Sequence, residues 1–115
     1  MNGKTAAPSD VRIEIQLQGG KLTAIPEHQH VKHKDKLTWE CDHAWAVAFD
    51  GRGSVKGPFA DNDPDRRHND GKIKEIRSNR GKDAMKFKYA VAVSDGDNVY
   101  VVDPEVIVDP DEDDD

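Results

Sequence analysis

Residues 11–17, VRIEIQL, alternate without a break: Val11, Ile13, Ile15 and Leu17 fall on one side, Arg12, Glu14 and Gln16 on the other. Period-two alternation of this kind is the pattern of a strand with one buried face. A Gly19-Gly20 pair supplies a turn signal, and KLTAI (21–25) resumes as a short strand stopped by Pro26. DKLTWEC and AWAVAF predict two more strands, separated by the polar Asp42-His43. KIKEIR (72–77) fits either a strand or a helical turn. MKFKYAVAV then alternates through Met85, Phe87, Tyr89, Val91 and Val93, with Lys86 and Lys88 on the opposite face. After the turn cluster SDGDN come VYVV and EVIV, the latter between Pro104 and Pro110. Seven or eight short strands at this spacing predict a single all-β domain, an antiparallel Greek-key β-sandwich over residues 11–108. Residues 1–10 read as a flexible lead-in. Residues 50–71, rich in Gly, Pro, Asp and Asn, read as one long loop.

Composition agrees with strands. Hydrophobic residues make up 35% of the 115 and charged residues another 35%, and the apolar residues are grouped in short Val-, Ile- and aromatic-rich runs. One cysteine, Cys41, excludes an internal disulfide. The first 15 residues hold no apolar core of a signal peptide. No apolar run approaches the ~20 residues of a membrane-spanning helix. The expectation is a soluble cytoplasmic protein.

The net charge of −6 is unevenly placed. Residues 109–115, DPDEDDD, carry six acidic groups, while residues 66–88 hold nine Lys or Arg against Asp70, Glu75 and Asp83. The tail is expected to be solvated and disordered. A tail of this sign is also suited to compete with an anionic partner for the basic segment. Nucleic acid is a poor fit as partner: the chain is acidic overall, and alternation places Phe87 and Tyr89 in the core rather than on a stacking surface.

Two stretches carry a family likeness. VKHKDKLTWECDHAWAVAFDG resembles the cupredoxin pattern of a charged turn, a strand, a short loop and then Pro-His-x-Val-x-Phe-Asp. KFKYAVAVSDG is similar to that family's Tyr-x-aromatic-x-Cys strand. The likeness spans about residues 11–109 and implies a cupredoxin-like sandwich. The family's blue-copper centre takes two His, a Cys and a weak axial Met. Anchoring Val47, Phe49 and Asp50 on the first motif puts Trp45 where the first His would stand, with Ala44 in place of Pro. Anchoring Phe87 and Tyr89 on the second puts Val91 at the Cys. From residue 94 to 115 there is no His, Cys or Met to supply the other two ligands. The resemblance therefore implies the fold without a type 1 copper site, and no cofactor is expected. On this reading Trp45 fills the vacated pocket.

The alternative chemistry is a Zn or Cu site using Cys41 and His43 with a further His, His30 being the candidate. His28, His33 and His68 are the remaining histidines. Asp35, Glu40, Asp42 and Asp50 are the acid–base candidates, Asp42 and Asp50 being better placed to hold turns. There is no Ser–His–Asp order or nucleophile elbow, and GRGSVKG lacks the spacing of a phosphate loop. The reading is of a non-enzymatic binding domain whose partner is another protein. Its expected surface is Asp42, His43, Arg52, Phe59, Arg66 and Arg67, on two loops expected to meet at one end of the sandwich.

Overall fold

A computed structural model describes residues 7–49, 57–59, 67–68 and 74–111. Those residues form ten strands and no helix: β1 Asp10–Gln18, β2 Lys21–Ile25, β3 His28–Val31, β4 Lys36–Cys41, β5 Ala44–Phe49, β6 Arg67–His68, β7 Lys74–Glu75, β8 Met85–Ser94, β9 Val99–Val102 and β10 Glu105–Val108. They make two sheets. One has the order β2-β1-β4-β7, the other β3-β10-β8-β5-β6, with β9 also paired to β8.

The sheets are mixed, not antiparallel as expected. β1 pairs in parallel with β4, from Asp10↔Lys36 to Ile15↔Cys41, and β3 pairs in parallel with β10. Alternation within a strand reports which face is buried and says nothing of its neighbour's direction. The local hairpins did follow from the turns. Gly19 and Gly20 have φ of 58° and 79°, the paired left-handed geometry of a two-residue hairpin loop, and they set Gln18 opposite Lys21.

The burial pattern follows the alternation closely. Ile13, Ile15, Leu37, Trp39, Val47, Phe49, Phe87, Tyr89, Val91, Val93, Val106 and Val108 are buried between the sheets, while Arg12, Glu14, Lys86 and Lys88 are exposed. Each such buried aliphatic contributes roughly 1.5–3 kcal/mol relative to the exposed side chain. β8 organises its sheet. Its first half pairs with β10 and its second half with β9, and β5 lies along its other edge from Tyr89 to Ser94.

Several boundaries differ from expectation. β1 begins at Asp10, and Ser9 is tied down: its N–H donates to Asp35 Oδ1 at 2.8 Å and its C=O accepts from the Lys36 N–H at 2.9 Å. The stretch 72–77 resolves to a strand at Lys74–Glu75, with Ile76 bridged to Phe59. Within the expected 50–71 loop, Gly57–Phe59 is buried and β6 adds to β5 through Val47↔His68 and Ala48↔Arg67. The acidic run is held at its start as well. Asp109 lies 3.0 Å from His30 Nδ1, and Asp111 Oδ1 accepts from the Asn79 N–H at 2.8 Å. Residues 112–115 lie outside the described residues. No helix among the described residues is long and apolar enough to cross a membrane.

Candidate functional site

The β4–β5 turn gathers the residues that first suggested chemistry. On β4 the inward set is Leu37, Trp39 and Cys41, so Cys41 continues the core side of the strand and packs against it, partly buried. Asp42 and His43 make the turn itself and are exposed. Together with Glu14, Gln16, Gln18 and Glu40 they line an open groove of about 210 Å³. Two of its three carboxylates are engaged from the sheet face: Arg12 Nη1 lies 3.3 Å from Glu40 Oε2, and Gln16 Nε2 donates to Glu14 Oε2 at 3.1 Å.

Cys41, His43 and His30 do not converge. His30 stands on β3 in the second sheet, opposite Ile107, and its Nδ1 faces the Asp109 carboxylate. Cys41 ends β4 in the first sheet, opposite Ile15. His28, beside His30 on the same face as the alternation requires, is 3.0 Å from Glu105 Oε1. Among the described residues no three His, Cys, Asp or Glu side chains form a metal-binding group.

The expected interaction surface also needs correction. Phe59 is only 9% exposed and its ring stands edge-on to Trp39 and Phe49, at 6.3 and 5.6 Å between centroids. It is core, because burying an aromatic ring outweighs the turn-like composition around it. Asp42-His43 and the start of the long loop are at opposite ends of β5, about 17 Å apart by the rise of a six-residue strand. Arg67 lies on β6 at the sheet margin, and Arg52, Arg66 and Asp50 lie outside the described residues.

The most developed side-chain assembly is aromatic. Trp39, 4% exposed, is its hub, in ring contact with Trp45 at 6.4 Å, Phe49 at 6.0 Å, Phe59 at 6.3 Å and Tyr89 at 5.6 Å. Phe49 stacks on Tyr89 at 4.8 Å. Trp45 is partly buried on the inner face of β5, opposite Val93, and Val91 is fully buried opposite Val47. The sequence drew attention to Trp45. The hub is Trp39, and its signal was its place in the middle of an inward-facing alternation.

Among the described residues two groups have displaced pKa values, and each displacement has a structural cause. Burial pushes the Tyr89 phenol up to about 12, opposed by the Trp39 Nε1–H that donates to its hydroxyl at 3.1 Å. Asp95 is lowered, chiefly by the Asn98 and Asp97 amides donating to it in the β8–β9 turn. Tyr89 makes a testable prediction. The unfolded phenol ionises near pH 10 while the folded one keeps its proton to about 12. Between those values the unfolded state binds fewer protons, so stability falls as pH rises and levels off above the folded value. Over that window wild type is expected to lose on the order of 2–3 kcal/mol more than Tyr89→Phe. Urea denaturation at pH 9, 10 and 11 reaches the lower half of that window, where about 1.4 kcal/mol of the difference is expected, and parallel curves for the two proteins would refute it.

In comparisons with known proteins, the sequence matches no protein-family model and no curated protein.

Proposed function

We propose that this chain is a cupredoxin-like β-sandwich without type 1 copper that acts by binding another protein rather than by catalysis. The observation that carries the reading is what stands at the positions the resemblance assigns to copper ligands. Trp45 and Val91 occupy the places of the first His and the Cys. They lie on adjacent strands, face the same interior, and pack with the core around Trp39. Hydrocarbon there supplies neither a soft thiolate nor an imidazole, the donors a blue-copper centre needs. The helix-free arrangement in two sheets supports the fold assignment.

Metal analysis of protein purified without a His-tag tests the reading, alongside Cys41→Ser. The expected result is no stoichiometric Cu or Zn in either protein, and no thiolate-to-copper charge-transfer band when Cu(II) is added. Stoichiometric metal lost in Cys41→Ser would overturn the proposal in favour of a site built on Cys41 and His43.

A further inference from the structure

The second sheet has two outward surfaces of different character. Where β3, β10 and the start of β8 lie side by side, its outer face is charged. There Lys88, Glu105 and His28 form one cross-strand row, and Lys86, Ile107 and His30 the next. Where β5, the end of β8 and β9 lie together, it is not. Ala46, Ala92 and Val101 are in register across the three strands, as are Ala44, Ser94 and Val99, with Ala48 opposite Ala90. A β-sandwich normally places polar residues at these alternate positions. Here they are small and, apart from Ser94, apolar, with Arg67 on β6 following Ala48 at the sheet margin, and Val99 and Val101 are 68% and 64% exposed.

Charge is arranged at the two ends of this face. Lys86 and Lys88 are exposed on the first half of β8, Lys88 Nζ donating to the Asp103 C=O at 3.2 Å, and the carboxylates nearest them on β10 are turned aside. Glu105 is turned to His28, and Asp109 beyond the end of β10 to His30. At the opposite end lie Asp42 in the β4–β5 turn and Asp95 and Asp97 in the β8–β9 turn. Asp95 is already engaged by the Asn98 N–H and the Tyr100 hydroxyl. The exposed Asp42 and Asp97 are the anions presented outward. Lys88 and Asp97 are nine positions apart along β8 and its turn.

We propose that this face is the interface of a homodimer, two copies meeting sheet to sheet about a two-fold axis perpendicular to β8. In that arrangement β8 of one copy runs antiparallel over β8 of the other. The alanine rows meet at the centre, and the Lys86–Lys88 end of each copy covers the Asp42–Asp97 end of its partner. A two-fold axis parallel to β8 is disfavoured, since it sets lysine on lysine and aspartate on aspartate. The same patch serves both subunits, as a two-fold interface requires. Alanine rows give a flat surface that is self-complementary without interlocking. Three strands at about 4.8 Å spacing and some 26 Å of β8 give a footprint on the order of 400 Å² per copy, below the range of stable specific interfaces and in that of weak, transient ones. The dimer is therefore weak, reversible and salt-sensitive. The inference rests on strand register and exposure, and does not depend on the cupredoxin likeness or on the absence of copper.

Sedimentation equilibrium of the full chain, at low and at high salt, tests it. Wild type is expected to rise from the 12.8 kDa monomer toward twice that mass with increasing concentration, less steeply at high salt. Ala92→Glu, which places a charge in the central row, is expected to remain monomeric while keeping the wild-type circular dichroism. Lys86→Glu/Lys88→Glu is expected to weaken association at least tenfold at low salt, and adding Asp97→Lys to recover most of the loss. Val101→Lys is a second central variant should Ala92→Glu not fold. A monomeric mass for wild type at every concentration, or undiminished association of a folded central variant, overturns the interface. Failure of Asp97→Lys to recover association overturns the antiparallel orientation.

Discussion

Asn79→Asp is expected to destabilise the protein by on the order of 3–5 kcal/mol, more than Asn79→Ala at about 2–3 kcal/mol. Asn79 is 4% exposed and uses its whole hydrogen-bonding capacity. Its Nδ2 donates to the carbonyls of Asp83 and Val108, both at 3.0 Å, and its Oδ1 accepts from the Gly81 N–H at 3.1 Å. Its backbone N–H donates to Asp111 Oδ1, and its C=O accepts from the Asp111 N–H at 2.7 Å. One side chain thus joins the 79–83 turn to the end of β10. Alanine removes the donor from two carbonyls and the acceptor from one amide. Aspartate does worse, because it aims a carboxylate oxygen at two carbonyl oxygens in a buried site. Charge there is disfavoured in the folded state, which raises the folded carboxyl's pKa, so the Asp variant's extra loss should shrink as pH falls from that raised value toward the unfolded value near 4. Urea denaturation with unchanged m-values measures both variants. A loss below about 1 kcal/mol in Asn79→Asp would show that the turn closes without this residue.

The second large effect is expected at Asp35, the other buried polar residue, also 4% exposed. Its Oδ1 accepts from the Ser9 N–H at 2.8 Å and its Oδ2 from the Lys32 N–H at 2.9 Å, with Lys32 Nζ 3.4 Å from Oδ1. Its own backbone closes the β3–β4 turn by donating to the Lys32 C=O at 3.0 Å, and accepts the Ile76 N–H at 2.8 Å. The carboxylate thus ties Ser9 to the β3–β4 turn, and the same residue's C=O ties in Ile76. Asp35→Ala is expected to cost about 3 kcal/mol, and Asp35→Asn somewhat less, since one oxygen remains as an acceptor. The damage should be local in character. Amide exchange at Ser9, Lys32 and Lys36 is expected to accelerate before that of the β8 amides. Uniform acceleration across both sheets would mean that Asp35 acts on global stability alone.

These two residues show where sequence reading stopped. The half-buried strands were legible because each carries its own periodicity: burial along 11–17 and 85–93 follows the alternation residue by residue. Strand direction and partner were not legible, since pairing β1 with β4 or β3 with β10 depends on segments that share no local signal. Asp35 stood among the acid–base candidates and Asn79 carried no signal of its own, because the groups they serve, Ser9 and Val108, are 26 and 29 positions away. Phe59 was misread for a related reason: its neighbours in sequence resemble loop, and its burial comes from Trp39 and Phe49. The Cys41–His43 pair was sorted by strand parity alone, which turns Cys41 inward and leaves His43 in the turn. The apolar outer face of β5 and β8 was present in AWAVAF and AVAV as alanine at the alternate positions, where a solvated strand carries polar residues. Tracing only the large inward side chains passes over it.

The position of β10 bears on how the chain is made. β10 separates β3 from β8, and the side chains it brings together, such as His28 and Glu105, are 77 positions apart. During synthesis from the N-terminus, β3 emerges early and has no hydrogen-bonded strand beside it among the described residues until β10 leaves the ribosome. Val31 and the hydrocarbon it covers stay open to water until its partner Val108 has been made. Closure across so long a separation is slow compared with hairpin formation. A nascent chain stalled before residue 105 is thus a natural client for a chaperone that shields strand edges.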